Sequence, residues 1–181
     1  VDPGNMRYNR LTFSNKRYEF WHISALGHNA AQFNGIIQPS GKEFHAEVLE
    51  SVTDGAHPGL LLDLTKAYPP EAGIAAYTRR LTLDRTTGIV EISEKVLSGK
   101  ELDIRLFLYS PVKPAVKSAD SVAWSSMRLA FSGIAFAGME EILLDDPVMN
   151  EVWGILLFRI IFETKSQENA EWNFRFLPEK D

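Results

Sequence analysis

The stretch that decides the fold is LDIRLFLY, residues 102–109. Leucine or isoleucine occupies positions 102, 104, 106 and 108, while Asp103, Arg105, Phe107 and Tyr109 occupy the positions between them. Because successive side chains of a strand point to opposite faces, this period of two places four aliphatic side chains on one face. The stretch therefore predicts a half-buried β-strand, with residues 102, 104, 106 and 108 facing the interior.

The next strand signal is a pair of segments on either side of a short turn. RLTLD (80–84) and IVEISE (89–94) flank RTTG, and Gly88 can adopt the positive φ that short hairpin loops require. We therefore predict an antiparallel hairpin, with Leu81 and Leu83 in the interior. Further segments of strand character, separated by Gly, Pro, Asn and Asp, are 17–24, 32–38, 43–52, 60–65, 74–77, 112–116, 122–124, 127–131, 142–144, 155–164 and 172–176.

Many short strands separated by turns predict an all-β protein, an antiparallel two-sheet β-sandwich. In the 155–164 segment the residues on both faces of the predicted strand are apolar, except Arg159 and Glu163. We therefore predict a central strand covered on both faces. Helical signal is confined to Asp146-Pro147, an N-cap followed by a first-turn proline, which predicts one short helical turn near 147–152.

Length and composition narrow the functional classes. The 181 residues fit a single domain, and the net charge of −5 disfavours binding to a phosphate backbone. The absence of cysteine excludes disulfides, thiolate metal sites and a cysteine nucleophile. The chain opens on Val1-Asp2-Pro3-Gly4, a strand end that runs straight into a turn, and we therefore expect residues 1–181 to be a fragment of a longer protein.

Common catalytic and metal-binding motifs are absent from the sequence. It has no His-Glu-x-x-His and no Gly-x-Ser-x-Gly. His28 stands in LGHN, where a turn residue satisfied by backbone hydrogen bonds is the plain interpretation and a metal ligand the alternative. His22 and His45 are interpreted as surface-facing strand positions, and His57 as a solvated loop residue.

Arg79-Arg80 beside Tyr77 offers a second candidate site. Two guanidinium groups and a phenol at this spacing suit a carboxylated sugar, so Tyr77, Arg79 and Arg80 are predicted to bind substrate. The alternative is a solubilising or cross-strand charge pair on an exposed strand.

Several short motifs, taken in order, give the sequence a family resemblance. They are Asp2-Pro3-Gly4, Tyr8, Arg17, Gly27-His28-Asn29, Asn34-Gly35, Gln38, Gly41, Tyr77-x-Arg79-Arg80, Asp146, Trp153-Gly154 and Arg159-Ile160. In this order the chain resembles the β-sandwich region of the heparinase II/III-like polysaccharide lyases. The resemblance implies one wall of a cleft in which a uronic-acid-containing polysaccharide undergoes β-elimination, completed by an N-terminal helical toroid that is missing from these residues.

The resemblance also implies where the chemistry lies. In the family, a Tyr and an Asn of the helical part act with a His upstream of the Asp-Pro-Gly turn, so we expect no catalytic residue within this chain and no activity from it alone. Family members can hold zinc with two His and one Asp. Asp2 and His28 match two of these ligands, which implies an incomplete metal site that organises the fold.

Partners and location follow from the same resemblance. We expect an anionic polysaccharide or oligosaccharide and the helical domain as partners, no nucleic acid or membrane, and a periplasmic or cell-surface location. Two other functions stay open. One is a non-catalytic carbohydrate-binding domain in which Trp21, Trp124 and Trp172 are exposed and stack on sugars. The other is a structural or assembly sandwich that braces a catalytic toroid.

Overall fold

The computed structural model describes residues 1–124, 126–166 and 168–179 and consists of two antiparallel sheets. One sheet has four strands in the order β1-β6-β11-β10, and the other has eight in the order β2-β3-β4-β5-β12-β9-β8-β7. The elements are β1 Ala31–Phe33, β2 Glu47–Val52, β3 Gly59–Asp63, β4 Ile74–Leu83, β5 Val90–Ser98, β6 Leu102–Ser110, β7 Ala115–Ser118, β8 Ser121–Ala123, β9 Met127–Ser132, β10 Ala135–Leu143, α1 Pro147–Trp153, β11 Leu156–Ser166 and β12 Asn169–Pro178. The predicted two-sheet β-sandwich is confirmed.

The core lies between the two sheets, as the period of two in β6 predicts. Leu102, Ile104 and Leu106 are buried against the inner face of the larger sheet. β4 and β5 form the predicted hairpin, and Gly88 has a φ of 73°. Leu81 and Leu83 lie on the inner face of β4, the face that also carries the buried Tyr77, but the two leucines are only half-buried. A four-stranded sheet cannot cover the whole face of an eight-stranded one.

The outer face of the smaller sheet is covered by the N-terminal segment, residues 1–30, and by α1. Tyr109 of β6 is buried there, because its hydroxyl donates to the Leu26 carbonyl and its ring stacks on Trp21 with centroids 6.1 Å apart. The Arg159 guanidinium lies 5.0 Å from the centroid of the Phe107 ring, which is also buried. β11 lies between β6 and β10, which confirms the predicted central strand.

Four predicted strands are wrong in whole or in part, and two of them, 43–52 and 112–116, begin only at Glu47 and Ala115. The 17–24 segment is not a strand, because Ser14 and Ser24 accept hydrogen bonds from the backbone N–H groups of Lys16 and Leu26 and cap short 3₁₀ turns. The predicted 32–38 strand stops at Phe33, since Asn34 and Gly35 have φ values of 54° and 77° and turn the chain.

The α-helix found among the described residues is the predicted one, extended by one residue to Trp153. The Asp146 carboxylate accepts hydrogen bonds from the backbone N–H groups of Val148 and Met149, and its other oxygen accepts from the Arg7 N–H at 2.9 Å. The N-cap therefore also fastens the N-terminal segment to the sandwich. Among the described residues, no helix has the length and apolar character that crossing a membrane requires.

Candidate functional site around His28 and Asn29

The candidate site is the segment Gly27-His28-Asn29, where the N-terminal segment turns into β1. A Cβ atom on Gly27 would lie 2.6 Å from the Cα of His22 and 2.7 Å from the Trp21 carbonyl oxygen. Glycine is therefore needed here because two backbones pass in contact, not because of its φ. This close approach fixes the direction in which the chain presents His28.

Asp2 and His28, which the sequence pairs as metal ligands, are in direct contact. Asp2 Oδ2 lies 2.6 Å from His28 Nδ1, and the two side chains are 61% and 39% exposed. The other carboxylate oxygen of Asp2 accepts from the Gly4 N–H at 3.0 Å, so the carboxylate is held in an Asx turn. The structure thus brings together two residues that lie 26 positions apart in the sequence.

This pairing sets the chemistry available to His28. When the ring is neutral, the carboxylate accepts a hydrogen bond from Nδ1–H, which leaves the lone pair on Nε2. The His28 side chain lines an open cleft of about 320 Å³, together with Tyr18, Ser24, Gln38 and Ser40. His28 therefore presents an oriented imidazole to a solvent-accessible cleft that is lined by both polar and apolar residues, the latter including Ile23, Ile37 and Pro39.

The pair alone does not make a zinc site. Two ligands of one tetrahedral zinc ion lie roughly 3.3 Å apart, whereas the Asp2 and His28 atoms are at direct hydrogen-bond distance, 2.6 Å. Across residues 1–124, 126–166 and 168–179, no three His, Asp or Glu side chains are grouped so that they could hold a metal. The incomplete zinc site implied by the resemblance stays a prediction.

Asn29 connects the two sheets. Its backbone carbonyl accepts a hydrogen bond from the Arg79 guanidinium of β4 at 3.1 Å, and its side-chain Oδ1 accepts from the Tyr109 N–H of β6 at 3.3 Å. The remaining amide group, Nδ2, is a donor on an exposed residue. Asn29, which the sequence singles out only as a neighbour of His28, therefore bridges the two sheets.

Arg79 is held by a buried carboxylate on the inner face of the larger sheet. Glu94 lies directly opposite Arg79 in the β4–β5 register and is 1% exposed. Its Oε1 is 2.9 Å from Arg79 Nη2, and its Oε2 accepts a hydrogen bond from the Tyr77 hydroxyl. Burial raises the pKa of Tyr77 well above its ordinary value, and the Glu94 charge raises it further, so the phenol stays protonated.

The structure does not bring Tyr77, Arg79 and Arg80, the predicted substrate-binding set, together on one surface. Tyr77 is completely buried in the core, and Arg79 is occupied by Glu94 and the Asn29 carbonyl. Arg80 points to the opposite face, where it pairs with Glu50 at 2.9 Å across β3. Consecutive residues of a strand, such as Arg79 and Arg80, face opposite sides of the sheet and therefore cannot both bind the same sugar carboxylate. The alternative, a cross-strand charge pair, describes Arg80.

The predicted exposed tryptophans and surface histidine also need correction. Trp172 is fully buried opposite Glu94, and Trp21 and Trp124 are half-buried, so the three indoles do not form a sugar platform. His22 was predicted to face solvent but is 4% exposed, with no partner for Nε2, because the turns of residues 20–27 fold over it. His45 and His57 are exposed, and neither lies in a strand.

The roles of Glu94 and Asn29 in the site are not predicted from the sequence, although a sequence signal exists for Glu94. Glu94 is found by extending the predicted hairpin register, which places it opposite Arg79. Asn29 has no such signal, because its partners Arg79 and Tyr109 are distant in the sequence and belong to different sheets.

No known family model matches this sequence, and no curated protein does. Solved structures do match. The heparan sulfate lyase HepC from Pedobacter heparinus has a TM-score of 0.68 at 11% identity, over 99% of this chain and 28% of its own. A heparinase III with methylated lysines has a TM-score of 0.67 at 13% identity, with the same coverage. Another heparinase III has a TM-score of 0.63 at 13% identity, over 98% and 27% of the two chains.

These matches concern the fold. The chain spans just over a quarter of the length of the heparinase structures that it matches, and almost all of its own residues align. The likeness implied by the short motifs is thereby confirmed at the level of the β-sandwich.

Proposed function

We propose that this chain is the β-sandwich domain of a polysaccharide lyase of the heparinase II/III-like kind, and that it forms one wall of a cleft for a uronic-acid-containing polysaccharide. The observation that carries the proposal is the alignment of 99% of the chain with 28% of a heparan sulfate lyase. A match of this extent is what a single domain of a larger lyase gives.

The chemistry of elimination explains the part assigned to this domain. The C5 proton of a uronate is weakly acidic, so the enzyme has to neutralise the neighbouring carboxylate, remove the proton and assist departure of the O4 leaving group. The proton-transfer residues are proposed to lie outside these 181 residues, as the family resemblance implies. The wall proposed here contributes one donor to that carboxylate from the His28–Asn29 corner, the side-chain amide Nδ2 of the exposed residue Asn29.

The rigidity of this corner supports the assignment. Asn29 is held by both sheets, and Gly27 packs against the backbone of residues 21 and 22. A group that binds a sugar carboxylate in a fixed orientation works best on such a support, because little ordering is needed when the sugar binds.

The test measures binding and elimination separately. The purified chain is expected to bind heparan sulfate or alginate oligosaccharides but to give no rise in absorbance from unsaturated uronate products. Elimination by the chain alone would contradict the placement of the proton-transfer residues outside it. A chain that binds no uronate polysaccharide would contradict the function itself. The proposal includes a periplasmic or cell-surface location, which fractionation of the native source would check.

We also propose that Asp2 and His28 belong to a zinc site whose remaining ligands the described residues do not supply. With two of the usual four ligands, zinc titrated into the chain is expected to give no stoichiometric, high-affinity binding in calorimetry. Tight zinc binding that survives His28→Ala would show that His28 is simply a turn residue.

A further inference from the structure

One segment of the surface has a charge opposite to that of the rest of the molecule. Residues 7–18 contain Arg7, Arg10, Lys16 and Arg17 and no acidic residue, a charge of +4 in a chain whose net charge is −5. The other residues therefore carry −9 between them. All four cationic residues are exposed. We call the surface formed by residues 7–18 the basic face.

The cations of the basic face are not neutralised by the protein. Elsewhere, most of the described lysines and arginines lie within 4.0 Å of a carboxylate, for example Arg80 (2.9 Å to Glu50) and Lys95 (3.0 Å to Glu171), although Lys42, Arg85, Lys100 and Lys117 do not. Within the part of the chain that the structure describes, none of the ion pairs involves Arg7, Arg10, Lys16 or Arg17. Their charge is therefore available to an anionic ligand.

Aromatic rings are interleaved with these cations and are unusually exposed. Phe13 is 78% exposed, Tyr8 61% and Tyr18 48%. The rings of Tyr8 and Phe13 lie with centroids 5.5 Å apart, and the Arg17 guanidinium lies 5.4 Å from the centroid of Tyr18. The C–H face of a pyranose ring is apolar and packs on such rings, whose faces carry the negative part of the quadrupole.

The basic face is ordered by its own hydrogen bonds. Asn9 Oδ1 accepts from the N–H groups of Leu11 and Thr12, at 2.8 and 3.2 Å, and the Thr12 side chain is buried. Ser14 Oγ accepts from the Lys16 N–H at 3.2 Å, and the Arg7 N–H is anchored to Asp146. The cations and rings therefore project from a fixed series of turns.

We propose that the basic face binds the carboxylate or sulfate groups of an anionic polysaccharide, an inference that rests on the proposed function and extends it. Guanidinium groups bind such oxyanions in a bidentate manner, and the solvent-exposed faces of the aromatic rings pack against the sugar rings that carry them. Tyr18 also lines the His28 cleft, so a polysaccharide on the basic face continues toward that corner. The negative charge of the remaining surface repels the polymer and confines it to this track.

The test compares two variants that remove the same charge. R10Q/K16Q/R17Q removes three of the four positive charges of the basic face, and K100Q/K117Q/R128Q removes three exposed positive charges elsewhere. With a heparan sulfate oligosaccharide as the probe, the first variant is expected to lose roughly tenfold or more in affinity and to show a flatter dependence on salt, since fewer counterions are exchanged. The control variant is expected to lose less than about twofold, the effect of distant, screened charges. Thermal melts verify that both variants are folded.

An aromatic variant separates stacking from charge. Y8A/F13A is expected to weaken oligosaccharide binding while leaving its salt dependence unchanged, because no cation is removed. Both rings are exposed, so their loss leaves the core intact.

Three outcomes would overturn the inference. If the two triple variants bind equally well, the basic face is not the site, although the proposed function survives. If a single-stranded oligonucleotide competes as well as the oligosaccharide, the face recognises nucleic acid or any polyanion. If the unaltered chain binds no uronate polysaccharide at all, the inference fails together with the proposed function.

Discussion

Two carboxylates act on the neighbouring residues His28 and Asn29. One carboxylate lies at the surface and the other in the core. Asp2 contacts His28, and the two side chains are 61% and 39% exposed. Glu94 holds Arg79, which binds the Asn29 carbonyl, and the exposures are 1% and 19%. Charges that pair in water gain little, whereas a buried charge that loses its partner is left uncompensated. The comparison indicates that the inner pair supports the fold, and the outer pair is left free for chemistry.

The largest effect is expected from Glu94→Gln. This change leaves the Arg79 guanidinium without its counter-charge inside the sandwich, and we predict a loss of about 3–5 kcal/mol in the free energy of unfolding, measured by denaturant titration. Glu50→Gln is the matched control, since it breaks the pair that Glu50 of β2 makes with Arg80 on the outer face of β4, and it is expected to cost far less. Similar costs for the two changes would invalidate the distinction between buried and exposed pairs.

A smaller loss is expected from Tyr77→Phe. The phenol is the second donor to Glu94, and its removal leaves a buried carboxylate oxygen unsatisfied, which costs about 1–3 kcal/mol in the same titration. Tyr68→Phe is the comparison, because that hydroxyl donates to the neutral Ala31 carbonyl at 2.6 Å. We expect Tyr68→Phe to cost less than Tyr77→Phe, and the reverse order would show that the charge on Glu94 does not strengthen the bond.

The burial of His22 is expected to make the free energy of unfolding depend on pH. Burial lowers its pKa from the ordinary value of 6.5, outweighing the opposite influence of Asp146, and the His28 charge lowers it further. Below pH 6.5 the unfolded chain binds a proton that the folded chain does not, so stability is lost as the pH falls from 6.5 toward the pKa of the folded state, by at most about 1.4 kcal/mol per pH unit.

The measurement compares the slope of unfolding free energy against pH in this window. His22→Gln is expected to flatten the slope, whereas His57→Gln, at an exposed loop, is expected to leave it as it is. An unchanged slope in His22→Gln would mean that the histidine is protonated in the folded protein too. The slope, not the absolute stability, is decisive, because His22→Gln also alters packing.

The smallest effect on stability is expected from Asp2→Asn. The pair with His28 is exposed, so the unfolding free energy is expected to change by no more than about 0.5 kcal/mol. A loss as large as that of Glu94→Gln would place the Asp2 pair among the supports of the fold and remove the contrast between the two carboxylates.

Only those contacts of the site that follow from the position of a residue along one strand or hairpin could be predicted from the sequence. The contact of Asp2 with His28 was expected from resemblance alone, and nothing in the local sequence places residues 26 positions apart at 2.6 Å. Tyr77 and Arg79 were expected to be accessible to substrate, because a phenol and two neighbouring guanidinium groups suit a carboxylated sugar. Their burial depends on Glu94 and on the sheet packed over them, which no window of β4 contains.

The sequence by itself determined the antiparallel sandwich, the β4–β5 hairpin and the inner face of β6, because alternation and turn residues act over a few neighbouring positions. Only the tertiary structure decided that Phe107 and Tyr109 are buried as well, since residues 1–30 and α1 cover the second face of that sheet. It also decided the burial of Glu94 and the exposure of the basic face. Burial depends on what packs against a side chain, and those partners come from distant parts of the chain.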